Sequence, residues 1–124
     1  MAAQAQIAVV RHGQTEWSLN GRHTGTTDIP LTDVGRDEAR AAAPLVGALA
    51  VDHVRCSPLV RARETCELLD LGVEPVIDPD LVEWDYGAYE GITTREIRES
   101  VPGWTVWTGG CPDGETAAQV AARV

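Results

Sequence analysis

The chain has 124 residues, of which 44% are hydrophobic, so it can bury one core but is too short for two ordinary domains. Its 19 acidic side chains outnumber its 10 basic ones, all arginine, and the net charge is -9. An acidic surface repels nucleic acid and anionic membranes, so neither is an expected partner. Any site for an anionic ligand must therefore be a local cluster of arginines.

The N-terminus has neither a basic region nor an apolar stretch typical of a signal peptide, and no run approaches the ~20 apolar residues of a membrane helix. The three cysteines, Cys56, Cys66 and Cys111, contain no Cys-x-x-Cys pair. This pattern favours reduced thiols in a cytoplasmic protein over a disulfide framework or a zinc site. We expect no metal and no cofactor. The oligomeric state is left open, with a homodimer among the states considered.

The first half of the chain predicts one strand, one long loop and one helix. Apolar residues 7–10 indicate a buried strand, and the glycine-rich residues 11–31 indicate a loop. Thr32 is a suitable N-cap for a helix that continues through alanine-rich sequence to about Ala50. Pro44 is expected to bend this helix, because proline lacks a backbone donor.

The middle of the chain predicts two further strands separated by a helix. Residues 52–56 and 74–77 indicate strands, and Ser57 followed by Pro58 is typical of a helix N-terminus. Residues 78–91, here called the acid loop, are punctuated by proline and glycine. Alternating strands and helices predict an α/β fold.

The last part of the chain predicts two helices separated by a loop. Thr93 and the glutamate three residues later form a capping box for a helix that ends near Ser100. Residues 102–114 indicate a loop, and a helix is expected from Glu115 onward. No glycine or polar stop signal follows Val124, so we expect the domain to continue beyond it.

Arg11, His12 and Gly13 directly follow the first predicted strand. A neutral imidazole held by a hydrogen bond on one nitrogen can attack phosphorus with the other. The planar guanidinium of Arg11 matches phosphate oxygens, and Gly13 allows the backbone to approach a ligand closely. A single histidine at a strand end is usually structural, but this context favours a phosphate-attack site.

A second motif lies at the turn between residues 52–56 and the following helix. Backbone amides at a helix N-terminus favour anions, and Arg61 in the first turn is expected to point inward. Arg63 lies about 200° around the helix from Arg61, so the two cannot serve one site. Arg63 is expected to be a solvated charge, with Glu67 as a suitable i+4 partner.

The acid loop contains three candidate proton donors, Glu83, Asp85 and Glu90. The alkoxide that leaves a phosphate ester needs a proton. A carboxyl group beside Trp84 and Tyr86 is expected to have a raised pKa because of desolvation. On chemistry alone the three acids are equal candidates, and two of them are expected to be solvated loop residues.

These motifs together resemble the histidine phosphatase superfamily, which includes phosphoglycerate mutase-like enzymes and acid phosphatases. The resemblance extends over nearly the whole chain. The matching segments are Arg11-His12-Gly13 with Trp17, Gly21-Arg22-His23-Thr24-Gly25, Asp28-Ile29-Pro30-Leu31-Thr32-Asp33-Val34-Gly35, Ser57-Pro58-Leu59-Val60-Arg61-Ala62, Glu83 with Tyr86-Gly87 and Glu90-Gly91, and Cys111-Pro112-Asp113-Gly114-Glu115-Thr116.

The resemblance implies a three-layer α/β/α domain with a mostly parallel sheet, of which residues 1–124 form about the N-terminal two thirds. It also implies roles for individual residues. His12 would form a phosphohistidine, Arg11 and Arg61 would bind the phosphoryl oxygens, and Glu83 would be the general acid and base. The same resemblance implies that three further residues line the substrate pocket, namely Ser18, where relatives often have asparagine, Thr24 and Gly25.

The family also implies a second histidine, in a His-Gly motif on a later strand that would neighbour residues 7–10. His23 and His53, the other histidines of this chain, have no such context. The simplest interpretation is a domain that lacks its last third. A strand edge left unpaired by this loss would reduce solubility.

The resemblance predicts a phosphomonoesterase that acts on a small phosphorylated substrate through a phosphohistidine. Mutases of the family are similar to one another in a long insert after the acid loop, which shields the intermediate from water. Here Gly91 is followed almost at once by the helix at Thr93, which favours hydrolysis. A mutase-like phosphotransferase, a non-catalytic phosphate-binding remnant and an unrelated α/β domain are the alternatives.

Overall fold

A computed structural model of the chain describes residues 4–124, and its architecture is a small parallel sheet surrounded by helices. This is the α/β class that the sequence predicts. The helices are α1 (Glu16–Leu19), α2 (Asp33–Gly47), α3 (Val60–Leu69), α4 (Thr94–Ser100), α5 (Val106–Gly109) and α6 (Ala117–Arg123), and the strands are β1 (Arg55–Cys56) and β2 (Val76–Ile77). Two 3₁₀ turns, Pro79–Leu81 and Gly87–Tyr89, shape the acid loop.

Strands β1 and β2 are parallel neighbours, with Arg55 opposite Val76 and Cys56 opposite Ile77. Helix α3 connects them and packs back on β1, which makes a β-α-β unit. The two strands predicted in this region are therefore confirmed in place, although each is shorter than expected. The carboxyl end of β1 leads directly into the segment that carries Arg61.

The strand predicted at residues 7–10 is not formed. Ile7 and Val9 are 90% and 92% exposed, and within residues 4–124 no neighbouring strand binds this segment's backbone. A strand needs a partner for its N–H and C=O groups, and an apolar sequence cannot supply one. The segment has the composition of a buried strand, but no described part of the chain covers it.

Helix α2 begins as predicted and ends earlier than predicted. The Thr32 hydroxyl accepts a hydrogen bond from the Gly35 amide at 3.1 Å, which confirms the N-cap. The helix ends at Gly47, and Ala50 adopts a left-handed φ of 50° within the following turn. Pro44 lies inside the helix, in its last turn.

Helix α3 begins later than the Ser57-Pro58 pair predicts. Ser57 Oγ accepts a hydrogen bond from the Leu59 amide at 3.3 Å, so it forms a turn before the helix. The helix starts at Val60, whose amide donates to Asp28 Oδ1 at 2.7 Å. The cap is thus supplied from a distant loop, which local sequence does not indicate.

The remaining helices agree with the sequence except for two additional short ones. Capping boxes at Thr93 and Thr116 open α4 and α6, as the sequence predicts for the first and approximately for the second. The predicted loops at residues 11–31 and 102–114 contain α1 and α5, each capped by a threonine hydroxyl. The three cysteines are free thiols, as predicted. No helix in the described part of the chain is long and apolar enough to cross a membrane.

Candidate active site

Arg11 and His12 lie at the mouth of a cleft of about 400 Å³ between the N-terminal segment, α1 and α2. The cleft also includes Ser18, one of the predicted pocket residues. The residues that line it are Arg11, His12, Gly13, Gln14, Ser18, Leu19 and Glu38. Thr24, Gly25, Arg61 and Glu83 lie outside this lining.

The imidazole of His12 is held in one tautomer. Its Nδ1 lies 2.7 Å from the carbonyl oxygen of Gly13, and because a carbonyl only accepts, Nδ1 carries the proton. Nε2 therefore has a free lone pair. Burial lowers the pKa of His12, and the nearby charges of Arg61 and Arg11 lower it further, although the Gly13 bond and Glu83 act in the opposite direction. The lowered pKa favours the neutral ring, which is the form that a nucleophile requires.

Close packing against α2 requires a glycine at position 13, and the close approach of a ligand there stays a prediction. A Cβ atom at Gly13 would lie 2.2 Å from the carbonyl oxygen of Gly35, and one at Gly35 would lie 2.2 Å from that of Gln14. The segment after His12 is thus pressed directly against the first turn of α2. The Gly13 amide also donates to Thr65 Oγ1 of α3 at 3.2 Å, so both helices fix the position of His12.

Arg61 is buried, with 2% of its surface exposed, and points inward as predicted. Its Nη1 donates to the Thr27 carbonyl at 2.8 Å, and its Nη2 donates to the Gly25 carbonyl at 2.7 Å. Nη2 also lies 3.4 Å from the Thr24 carbonyl, and Nε makes no hydrogen bond within residues 4–124. Arg61 thus shapes the loop at residues 24–27 and keeps its Nε free of partners in the described part of the chain.

Arg63 is exposed, as predicted, because it points away from Arg61 around the helix. The suggested ion pair with Glu67 is absent from the described part of the chain. Arg61 is therefore the single arginine of α3 that reaches the core, and its carbonyl also accepts a 2.7 Å hydrogen bond from the Thr65 hydroxyl.

Glu90 binds the same loop from the opposite side. Its carboxylate accepts hydrogen bonds from the Gly25 amide at 2.7 Å, the Thr27 amide at 2.9 Å and the Thr27 hydroxyl at 3.0 Å. Arg61 thus satisfies carbonyl groups of this loop and Glu90 satisfies its N–H groups. Because the carboxylate is occupied by these donors, Glu90 is a structural anchor and not a free acid.

The backbone of Gly25 is held closely by its neighbours, and its contact with substrate stays a prediction. Both polar backbone atoms of Gly25 are bound, one by Glu90 and one by Arg61, and a Cβ there would lie 2.1 Å from the Trp84 carbonyl. The hydroxyl of neighbouring Thr24 donates to the Arg22 carbonyl at 3.1 Å. The backbone of residues 24 and 25 is thus fixed by contacts with the protein itself.

The other two candidate acids differ in whether their carboxylates are hydrogen-bonded. Asp85 Oδ1 accepts a hydrogen bond from the Gly87 amide at 2.9 Å and shapes a local turn. The Glu83 carboxylate is exposed and makes no hydrogen bond in the described part of the chain, which leaves it available to a ligand. The burial beside Trp84 expected for this acid is absent, because the Trp84 indole turns inward and donates to the Glu115 carbonyl at 2.8 Å.

Glu83 nevertheless acts electrostatically on the groups around the cleft. Its charge opposes the lowering of the pKa of His12, opposes the lowering of the pKa of Arg61, and helps to raise the pKa of Tyr86 to about 12. The largest cause of each of these three shifts is burial of the group itself. One acid and two arginines therefore act on His12.

Ser18 uses its hydroxyl within α1. Its Oγ accepts from the Thr15 amide at 2.8 Å and donates to the Thr15 carbonyl at 3.0 Å, which completes a capping box. Sequence reasoning missed this box, although a threonine followed three residues later by serine is a visible signal. It also missed the supporting role of Thr65, which helical spacing places one turn after Arg61.

No cluster of three metal-binding side chains occurs in residues 4–124. The site is thus an imidazole with arginines around it and a free carboxylate nearby.

Comparison with known proteins identifies the family. The family model described as histidine phosphatase superfamily (branch 1) matches residues 7–124. An acid phosphatase of Mycobacterium tuberculosis is 52% identical over 95% of this chain, and a probable phosphoglycerate mutase of Enterobacter sp. is 32% identical over 96%. The chain spans 59% of the length of each of these two relatives.

A solved structure agrees with this result. The mycobacterial glucosyl-3-phosphoglycerate phosphatase, solved with VO3, superposes with a TM-score of 0.83 at 32% identity, over 90% of this chain and 59% of that one. The fold is therefore that of the phosphoglycerate mutase-like histidine phosphatases, as the sequence motifs predicted. The chain belongs to the histidine phosphatase superfamily.

Proposed function

We propose that this chain carries the nucleophile, the phosphate-binding arginines and the proton donor of a phosphomonoesterase that acts through a phosphohistidine on a small phosphorylated substrate. The observation that carries the proposal is the state of His12. Its Nδ1 proton is bound by Gly13, its Nε2 is free, and burial with two arginines lowers its pKa. A histidine with a purely structural role does not need these three features in combination.

In the first step, Nε2 of His12 attacks the phosphorus of the ester. The P–N bond forms as the bond between phosphorus and the alcohol oxygen breaks, and Glu83 donates its proton to the leaving alkoxide. Arg11 and the free Nε of Arg61 balance the charge on the phosphoryl oxygens. Ser18, Thr24 and Gly25 shape the pocket, with Thr24 and Gly25 held in place by Arg61 and Glu90.

In the second step, a water molecule attacks the phosphohistidine. Glu83, now a carboxylate, takes a proton from this water as the new P–O bond forms and the P–N bond breaks. Inorganic phosphate leaves, and His12 returns to its starting tautomer. No metal or cofactor takes part in this sequence of steps, and the substrate is expected to bind without one.

Hydrolysis is favoured over transfer to a second alcohol by the short connection after the acid loop. Glu90 ends the 3₁₀ turn Gly87–Tyr89, and α4 is already capped at Thr93. No long insert is present there to exclude water from a phosphohistidine. A mutase-like transfer is the second candidate, because a relative named probable phosphoglycerate mutase matches almost the whole chain.

The test is turnover of p-nitrophenyl phosphate by the parent chain, by His12→Ala and by His53→Ala, in which an exposed histidine of the same chain is removed. We expect loss of turnover in His12→Ala alone, together with an acid-labile, base-stable phosphoryl adduct on the parent. An equal rate for His12→Ala and the parent would show that this chain binds phosphate esters without this chemistry. Transfer of the phosphoryl group to added phosphoglycerate, in place of water, would establish the mutase alternative.

A further inference from the structure

Arg123, at the end of α6, binds the backbone of the acid loop just before and at Glu83. Its Nη1 donates to the carbonyl oxygens of Asp80 at 2.7 Å and Val82 at 2.6 Å, and its Nη2 donates to that of Glu83 at 3.1 Å. Within residues 4–124 these three carbonyls have no other partner. The position of the Glu83 backbone thus depends on one side chain from a distant helix.

Glu115 holds both Arg123 and the other side of the acid loop. Its Oε2 accepts from Arg123 Nε at 2.7 Å and its Oε1 accepts from Arg123 Nη2 at 2.8 Å, which is a two-point contact. The Asp85 amide donates to Glu115 Oε1 at 2.9 Å, and the Glu115 amide donates to the Asp85 carbonyl at 2.8 Å. The Glu115 carbonyl also accepts the Trp84 indole N–H at 2.8 Å.

The contacts of the Arg123–Glu115 pair fix the position of the acid loop. The hydrogen bonds to Glu115, Asp80, Val82 and Glu83 occupy all five N–H groups of the Arg123 guanidinium. The side chains of Arg123 and Glu115 are only 19% and 22% exposed, and the hydrogen bond from Arg123 lowers the pKa of Glu115. An ordinary surface ion pair adds little stability, whereas a fully bonded guanidinium fixes the loop that it contacts.

Glu83 itself has no side-chain hydrogen bond in the described part of the chain, so only its backbone determines where the carboxyl group can reach. From these contacts we infer that Glu115 and Arg123 are positioning residues, which hold the proposed proton donor Glu83 within reach of the leaving oxygen of the phosphate ester that His12 attacks. This inference rests on the function proposed above, because it assigns the pair a role in the step that Glu83 performs. Without the pair, the three carbonyl groups would hydrogen-bond to water, and the backbone of Glu83 would move with them.

The dependence of the rate on the leaving group tests this inference. Phenyl phosphate needs a proton on its leaving oxygen, whereas 2,4-dinitrophenyl phosphate does not. For Arg123→Ala we expect kcat/KM, which reports the first step and not the later hydrolysis of the phosphohistidine, to fall by about 10- to 100-fold on phenyl phosphate and by less than about 3-fold on the dinitro ester. The larger loss is part of the ~10²- to 10⁴-fold effect of a general acid. Arg123→Lys should recover part of the loss, and Arg95→Ala, which removes an exposed arginine of α4, should match the parent.

Glu83→Gln should show the same dependence on the leaving group, and adding Arg123→Ala to it should cause no further selective loss. Equal losses of Arg123→Ala on both esters, with native circular dichroism, would mean that the pair is merely structural and would overturn the inference.

Amide exchange separates this inference from the proposed function. If the parent turns over neither ester, the proposed function fails. The pair is then judged by hydrogen exchange of the Asp85 amide, which should accelerate at least ~10-fold in Arg123→Ala relative to Arg95→Ala. Unchanged exchange in a folded Arg123→Ala variant, or in Arg123→Met if the alanine variant does not fold, would overturn the positioning role.

Discussion

At the scale of single residues, the chemistry of this chain depends on which polar atoms the fold leaves free. The carboxylate of Glu90 is occupied by backbone and hydroxyl donors, whereas that of Glu83 is not. In the same way, two nitrogens of Arg61 donate hydrogen bonds to carbonyl groups, whereas Nε does not. Sequence motifs indicated three acids and two arginines of interest, and only the hydrogen bonds distinguish anchors from reactive groups.

The pH dependence of His12 follows from its burial. Its pKa is lowered from the ordinary value of 6.5, which favours the neutral ring that the proposed nucleophile needs. The acid limb of the phosphorylation rate should therefore have its midpoint below pH 6.5. The Cε1 proton of His12 should titrate with the same midpoint in an NMR experiment, and a midpoint at or above 6.5 would contradict this prediction.

The same shift has a consequence for folding. Because the unfolded chain binds a proton at His12 more readily than the folded chain, stability is lost as the pH falls from the ordinary value toward the lowered one. The parent should therefore lose more of its free energy of unfolding than His12→Asn between pH 7 and pH 5, in urea titrations at each pH. An equal loss in the two proteins would remove His12 as the cause.

At the scale of elements, the site is positioned by close contacts between a loop and two helices. Gly13 and Gly35 allow the segment after His12 to lie directly on α2, and Thr65 of α3 binds the same segment. The N-terminus of α3 is in turn capped by Asp28. Local sequence predicted α2 with its Thr32 cap and the approximate position of α3, but these contacts join residues that are 22 to 52 positions apart, and no local pattern specifies them.

Substitution of the two glycines of α2 tests this packing. Alanine is preferred over glycine in helices by about 1 kcal/mol, so Gly47→Ala, with open space around its Cβ, should be neutral or stabilising. Gly35→Ala gains the same preference but forces a Cβ to 2.2 Å from the Gln14 carbonyl, which should cost roughly 1–3 kcal/mol or more. Urea unfolding measures both, and equal stabilities would contradict the close contact.

At the scale of the whole molecule, the chain is an acidic protein for which we propose an anionic substrate. Its net charge is -9, and Arg11 and Arg61 near His12 are a local exception to this field. Strands β1 and β2 are short, and residues 7–10 expose their apolar side chains. The family model nevertheless matches residues 7–124, and the chain spans 59% of the length of the acid phosphatase relative. The fold around His12 is thus recognisable as that of the family, with a smaller sheet than the sequence predicts.

The overall charge predicts an unusual salt dependence. Added salt screens the long-range repulsion between the acidic surface and an anionic ester as well as the local attraction of the arginines. The kcat/KM for an aryl phosphate should therefore stay constant or rise between 20 and 200 mM NaCl, at fixed pH and measured from initial rates. A steep fall in kcat/KM, as in proteins whose basic surface attracts the substrate, would mean that the arginines near His12 dominate the field.

The sequence by itself determined the family, the α/β class, the helix caps at Thr32 and Thr93, the inward direction of Arg61, and His12 as the candidate nucleophile. These follow from short-range patterns, because caps, helical faces and motif spacing are properties of neighbouring residues. Only the tertiary structure decided the tautomer of His12 and which of the three acids has a carboxylate without hydrogen bonds. It also decided that Asp28 caps α3 and that Arg123 donates hydrogen bonds to the acid loop. Each of these depends on which distant donor meets which acceptor, and that is set by packing. The strand expected at residues 7–10 failed for the same reason, since a strand is a relation between two segments.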